Sequence, residues 1–374
     1  MTSLEISVKS FGALGDGVTD DTNAFIMAFN TLLRAGGGLL YVPCGVYRIS
    51  QRLNIQPTAQ EPISIRGAGR YLSTLDFSGS ASLGILFNSS SRDDNHLPKF
   101  EVRDLGLITS RDNCGTAIEA RWATANNLDA PFHATDLHIA QNINRIADSG
   151  SGYGYWTTGV VTYNARNSRI SNVHFYGEMN KSPGTAFGFL LDGESTCFKI
   201  SDSLVLESTT GIRVQGSCEG VYVHNCDLVG VRYGFYAEYD TGAEPQMTFT
   251  DSHVNATNVG VWLKNCQQSV VSNCVIYACS WLDTRVFPEW RGVLIQGANS
   301  RFNKVTGCTF SKEGKRIGDI CTGIDFNEGR RYSASGNHFF GFPANQLTYG
   351  IQVRPGVTNV IVGNDNVYEE VTRP

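Results

Sequence analysis

From residue 100 onward, apolar positions recur in short alternating runs separated by turn residues, and two patterns interleave. The first reads glycine, apolar, variable, apolar, mostly polar, as in Gly188-Phe-Leu-Leu-Asp192, Gly211-Ile-Arg-Val-Gln215, Gly234-Phe-Tyr-Ala-Glu238 and Gly260-Val-Trp-Leu-Lys264. From Gly159 to Gly350 these glycines are spaced by 29, 23, 23, 26, 32, 31 and 27 residues. The second pattern is a small or polar triplet between them: Ser201-Asp-Ser203, His224-Asn-Cys226, Thr250-Asp-Ser252, Ser272-Asn-Cys274 and Thr306-Gly-Cys308. Period-2 alternation marks strands, and Gly, Asn and Asp mark the bends between them. Two strands per repeat at this period describe one coil of a parallel β-helix. Leucine-rich repeats would fix leucine at set offsets, and propeller blades need about 40 to 50 residues. The predicted fold is therefore all-β, a single-stranded right-handed parallel β-helix (solenoid). Stacking at about 4.8 Å predicts an interior column of Ser203, Cys226, Ser252, Cys274 and Cys308. It also predicts a column of Asn172, Asp202, Asn225, Asp251 and Asn273 at a bend, where short polar side chains tolerate unusual backbone angles.

An open solenoid end exposes strand edges and core, so the chain needs a cap. Residues 19–34 predict an N-terminal capping α-helix, with Thr19 or Asp20 as N-cap and Ala24, Phe25, Ala28, Phe29 and Leu32 on one apolar face. It stops at Gly36-Gly-Gly38, before a strand at Leu39–Val42. The expected organisation is a cap over 1–50, a helical body over 51–367 with a lateral insertion near 121–158, and a tail over 368–374.

Composition narrows the ligand. The 374 residues carry 30 Lys and Arg against 35 Asp and Glu, a net charge of −5. That leaves no reservoir of positive charge for nucleic acid or an anionic bilayer, so neither nucleic-acid binding nor membrane insertion is expected. No apolar run approaches the roughly 18 residues of a membrane span, and Met1 to Lys9 has no signal-peptide character. The expectation is a soluble chain folded in a cytoplasm. Ten cysteines include no C-x-x-C pair and read as free core thiols. No metal and no cofactor are expected, and His96, His174, His253 and His338 read as locally bonded.

The segment Val8-Lys-Ser-Phe-Gly-Ala-Leu-Gly-Asp-Gly-Val-Thr-Asp-Asp-Thr22, followed by Gly36-Gly-Gly-Leu-Leu-Tyr-Val-Pro43 and Gly45-Val-Tyr-Arg-Ile49, resembles the opening of the pectate-lyase-like β-helix superfamily. That group includes phage tailspikes with their polysaccharide depolymerases, polygalacturonases and alginate epimerases. The resemblance implies the fold, with Asp16, Asp20 and Asp21 as fold residues, and leaves the reaction open. Phe187-Gly-Phe-Leu-Leu-Asp-Gly-Glu194 lacks the histidine and proline of the epimerase catalytic segment. The Asn-Thr-Asp, Gly-Asp-Asp and Gly-His-Gly segments of polygalacturonases are absent. The missing signal peptide, free cysteines and variable coils look most like a phage tailspike. That implies a homotrimer on the virion tail, extracellular after lysis, whose partner is a bacterial surface polysaccharide, capsule or O-antigen.

Long loops at 176–187, 278–291, 311–322 and 340–349 predict the walls of a trough floored by the short-loop coils 200–265. Its floor is the outward side of the glycine strands: Leu190, Arg213, Tyr236, Trp262, Leu294, Asp325 and Gln352, then Asp192, Gln215, Glu238, Lys264, Gln296, Asn327 and Arg354. Tyr236 and Trp262 suit stacking on pyranose faces, and Arg213 and Gln215 suit hydroxyls. Glycoside hydrolysis needs two carboxyls, about 6.5 to 9.5 Å apart for inversion. Asp192 and Glu238 lie two coils apart and form the candidate pair, Glu238 as general acid with a raised pKa and Asp192 as base. Asp240, Glu207 and Glu194 are alternatives. Trp281, Asp283, Glu289 and Trp290 form a sugar-binding loop or a packed lid. The reading is an endo-glycosidase. The alternatives are a lyase on a uronate-containing glycan, using Lys264, Arg213 and Tyr236, and a receptor-binding spike that only grips.

Overall fold

The period-2 runs fold into strands, and the pairings within each part of the chain are parallel and in register. A computed structural model describes residues 4–58, 60–79, 83–91, 97–123, 129–141, 154–178, 185–239, 245–278, 287–312, 320–341 and 346–373. The chain forms two compact units, Met1–Gly177 with Leu191–Lys199, and Glu178–Leu190 with Ile200–Pro374. Each is a stack of parallel β-helical coils.

In the first unit the capping helix spans Thr22–Arg34 and buries Ala24, Phe25, Ala28, Phe29 and Leu32, the face its spacing predicts. The N-cap is Asp21 rather than Thr19 or Asp20. Its carboxylate turns away from the helix and accepts from the amides of Leu14 (2.7 Å) and Gly15 (3.1 Å), while Asp20 accepts from Thr22 N at 3.0 Å. These aspartates tie the entry loop to the helix. Beyond the helix, Gly38–Val42, Ile63–Gly67, Phe100–Ile108, Phe132–Ala140 and Arg169–Tyr176 stack as one ladder. Phe132–Ala140 lies in the region expected to be a lateral insertion. It pairs on both sides, so this part of 121–158 is ordinary coil; 124–128 and 142–153 lie outside the described residues. Large aromatics fill the core, with Phe87 stacked on Phe100 at 4.6 Å and Trp122 Nε1 donating to Pro98 O at 3.0 Å.

The second unit has three ladders per coil where periodicity predicts two. The glycine strands Thr210–Val214, Asp227–Glu238, His253–Lys264, Glu289–Gln296, Ile320–Phe326 and Leu347–Val353 form the first. Glycine is required there by close approach: a Cβ on Gly234 would lie 2.3 Å from Gly260 O and 2.5 Å from a Val254 methyl. The short loops expected at 229–233 and 256–259 are instead interiors of 12-residue strands that run through the bend, with register shifts near Val229, Val231 and Tyr233. The interior column forms as expected. Ser203, Cys226, Ser252, Cys274 and Cys308 are all buried, and Cys226, Ser252 and Cys274 O accept from the amides of His253, Val275 and Thr309 at 2.9, 3.0 and 2.8 Å. The bend column takes left-handed backbone, φ being 53°, 51°, 50° and 54° at Asp202, Asn225, Asp251 and Asn273. Its side chains bond between coils, Asn225 Nδ2 donating to Asp202 Oδ1 at 2.8 Å. The nine described cysteines are free; Cys279 lies outside the described residues. Strands Val367–Glu369 and Val371–Arg373 continue the stack into the expected tail. No described helix is long and apolar enough to cross a membrane.

Candidate functional site

In the second unit the register brings together the residues that the glycine strands place in line. Arg213 pairs with Tyr236, Tyr236 with Trp262, Trp262 with Leu294, Leu294 with Asp325 and Asp325 with Gln352. Glu238, Lys264 and Gln296 follow one another in the next line. The Tyr236 and Trp262 rings stack with centroids 4.2 Å apart and planes 5° apart, and the Arg213 guanidinium lies 3.7 Å above Tyr236. Tyr233 closes on Trp262 at 5.8 Å. Tyr233 and Trp262, together with Leu294 and Gln296, border a cleft of about 200 Å³. That is below the roughly 300 to 1,000 Å³ of enclosed ligand pockets, so the cleft would hold only part of a larger ligand.

Glu238 accepts from Arg213 Nη2 at 2.6 Å, from Tyr236 Oη at 2.8 Å and from Lys264 Nζ. Burial pushes its pKa up, but the hydrogen bonds from Lys264, Arg213 and Tyr236 outweigh burial and bring it down to about 2. The expected raised pKa is thus reversed: Glu238 is ionised at neutral pH and does not carry a proton to donate. Burial and the hydrogen bond to Glu238 push Tyr236 the other way, up to about 12. Arg213 Nε also donates to Gln215 Oε1 at 3.1 Å.

Several residues expected on an exposed floor are buried. Leu190, Arg213 and Leu294 are buried, and Asp325 has 0% exposure. Asp325 is clamped by Arg291 Nε (2.9 Å) and by Arg354 Nε and Nη2 (3.0 and 2.9 Å), and Arg291 also holds Glu289. A buried carboxylate bracketed by two guanidiniums is a strut between coils, not a sugar ligand. Trp290 is fully buried, its indole NH bonded to Ala256 O at 3.1 Å. Asp240, Trp281 and Asp283 lie outside the described residues.

Asp192 belongs to the first unit, where its surroundings differ from those expected. Tyr163 pairs with Arg121 of the preceding coil, whose guanidinium lies 4.0 Å from the phenol ring and is ion-paired with Glu119. Burial raises the Tyr163 pKa; Arg121 opposes this, and the charges of Glu119 and Asp192 add to it. Asp192 Oδ1 accepts from Gly193 N at 2.7 Å, and Asn164 locks the adjoining turn through Trp122 O (2.8 Å) and Glu194 N (3.0 Å). Glu194 itself is engaged by Arg166. Arg121 thus links Glu119 to the Tyr163 ring, and the charge of Asp192, on the following coil, also acts on that phenol. Glu119 and Arg121 were missed because Gly115-Thr-Ala-Ile-Glu-Ala-Arg121 carries Ala117 where later coils carry glycine. Among the described residues no group of His, Cys, Asp and Glu is arranged to hold a metal ion.

The family model described as Rhamnogalacturonase A/epimerase, pectate lyase-like, matches residues 5–309. Mannuronan C5-epimerase AlgE1 of Azotobacter vinelandii is 32% identical over 119 residues, 31% of this chain and 8% of that protein. The pre-neck appendage protein of Bacillus phage B103 is 34% identical over 147 residues, 38% of this chain and 15% of that protein. The chain thus spans a small fraction of the curated relatives it matches. Among solved structures, DFA-IIIase from Arthrobacter chlorophenolicus A6 superposes with a TM-score of 0.69 at 14% identity, covering 96% of this chain and 94% of that one.

Proposed function

We propose that this chain, which belongs to the Rhamnogalacturonase A/epimerase, pectate lyase-like family, modifies a uronate-containing polysaccharide by chemistry at the sugar C5–H bond. Such chemistry needs a base for the C5 proton, a proton donor, and a cation to stabilise charge developing on the uronate carboxylate. The observation that supports the reading is the Arg121 guanidinium, ion-paired with Glu119, lying over the Tyr163 ring; in this reading Arg121 is the cation, the phenol of Tyr163 the donor, and Asp192, whose charge acts on that phenol, the base. The raised Tyr163 pKa keeps its proton in place at neutral pH. The stacked Arg213, Tyr236 and Trp262, with Lys264, Gln215 and Gln296, serve as the gripping surface of the second unit. Glu238 positions Arg213, Tyr236 and Lys264 there. The similarity to a mannuronan C5-epimerase supports the substrate class and the atom attacked.

Inverting hydrolysis by Asp192 and Glu238, with Asp240 in reserve, is the competing chemistry. It requires a protonated acid, and a carboxylate with a pKa of about 2 is ionised and weakly basic at once. The test is incubation of the purified chain with mannuronan, polygalacturonate and a neutral dextran. Absorbance of an unsaturated uronide, or a changed C5 configuration by proton NMR, is expected with the acidic polymers. New reducing ends without either would establish hydrolysis, and retention without product would establish an adhesin.

The phage relative favours a second reading of context, a virion appendage; the resemblance to phage tailspikes adds to that reading a homotrimer that meets bacterial capsule or O-antigen. Light scattering would then give three times the 40.8 kDa chain mass, and a monomer mass would remove the trimer.

A further inference from the structure

One corner of the second unit carries residues that neither the core nor the ladder faces use. Gln268, Phe302, Arg331 and Asn359 occupy equivalent corner positions on successive coils, with φ of 54°, 59°, 60° and 57°. Left-handed backbone suits asparagine or glycine and is disfavoured for bulky side chains. The bend column of Asp202, Asn225, Asp251 and Asn273 obeys that rule. Phe302 breaks it and still leaves 45% of its surface exposed. A bulky apolar side chain held in left-handed backbone and left half-exposed is a candidate for function. The guanidiniums of Arg331 and Arg301 lie 5.1 and 6.0 Å from its ring. Lys304 and Arg331 have no acidic partner among the described residues, on a chain whose net charge is −5. Beside them runs an open groove of about 570 Å³, floored by Ile361, which is 71% exposed, and edged by Asn359.

We infer that this groove binds a segment of an anionic polysaccharide. The Phe302 and Ile361 side chains meet the apolar face of a sugar ring, Lys304 and Arg331 pair with its carboxylates, and Asn359 bonds its hydroxyls. A protein partner would need a larger apolar surface than these two side chains offer. The inference rests on the acidic-polysaccharide reading and adds to the second unit a further place that holds the same polymer.

Affinity electrophoresis of the whole chain in gels containing mannuronan, polygalacturonate or dextran tests it. Two variants isolate the groove: Lys304→Ser with Arg331→Asn, and Phe302→Asn, which places an amide at a left-handed corner that favours it. The wild type is expected to be retarded by the acidic polymers and not by dextran. Both variants should bind roughly 5- to 10-fold more weakly while converting a short mannuronate oligomer as fast as the wild type. Unchanged retardation in both variants, equal retardation by dextran, or no retardation of the wild type by either acidic polymer would overturn the inference. So would a drop in oligomeric mass of the double variant without loss of polymer affinity, which would assign the patch to contacts between copies. If the wild type modifies no glycan, the catalytic reading falls, yet the retardation series still decides the groove.

Discussion

The first and second units each set an arginine on a tyrosine, and the carboxylates around the two pairs are arranged differently. Around Tyr163, the Arg121 guanidinium lies over the ring and is ion-paired with Glu119, and the charges of Glu119 and Asp192 both act on the phenol. Around Tyr236 there is one carboxylate, Glu238, held between Arg213 and Lys264, and an indole stacked on the far side of the ring. On the proposed function the first arrangement supplies a base and a phenol for proton transfer, whereas the carboxylate of the second holds two cations and a tyrosine hydroxyl in place. The proposed function therefore assigns similar side-chain chemistry to reaction in one unit and to gripping in the other.

The strongest way to break this contrast is to remove one atom from each tyrosine. Tyr163→Phe is expected to lower turnover of a uronate polymer by roughly 10² to 10⁴-fold, the usual worth of a general acid or base, with Asp192→Asn in the same range. Tyr236→Phe should lower it by less than about 10-fold, mainly through KM. The reverse order would exchange the two roles.

Glu238→Gln sharpens the contrast through stability. It leaves Arg213 and Lys264 facing a neutral amide and should cost about 1 to 3 kcal/mol in urea unfolding at neutral pH. The native carboxyl is depressed from 4.5 to about 2, so its contribution is fully present above about pH 4.5 and is lost as pH falls toward 2. The wild type should lose this increment across that window and the variant should not. A variant as acid-sensitive as the wild type would contradict the ionised assignment. The smallest effect is expected from Trp262→Ala, which removes a stacking surface worth about 0.5 to 1.5 kcal/mol. Calorimetric affinity for a mannuronate oligomer should weaken roughly 2- to 10-fold with kcat unchanged.

What could be read from the sequence was what stacking repeats. The glycine column, the Ser and Cys interior column and the Asn and Asp bend were legible because each coil imposes the same local constraint, a close approach at Gly234 or a left-handed turn at Asn225. The third ladder was hidden because members such as Val270–Ser272 and Lys304–Thr306 are too short to display alternation. The ladder alignment of Arg213, Tyr236 and Trp262 was legible, yet the sign of the Glu238 shift was not. It depends on contacts to side chains 25 and 26 residues away, whose distances periodicity does not give. The Tyr163 cluster escaped because Ala117 interrupts the glycine signature and because regular coil at Phe132–Ala140 reads as an insertion.

Solvent isotope exchange tests the C5 chemistry most directly. Mannuronan incubated with the chain in deuterium oxide, and followed by proton NMR with ultraviolet absorbance, should show deuterium at C5 or the unsaturated uronide left by C5 proton loss. Tyr163→Phe should abolish either signal and Tyr236→Phe should retain it. New reducing ends accumulating with C5 unlabelled and no absorbance would contradict the account.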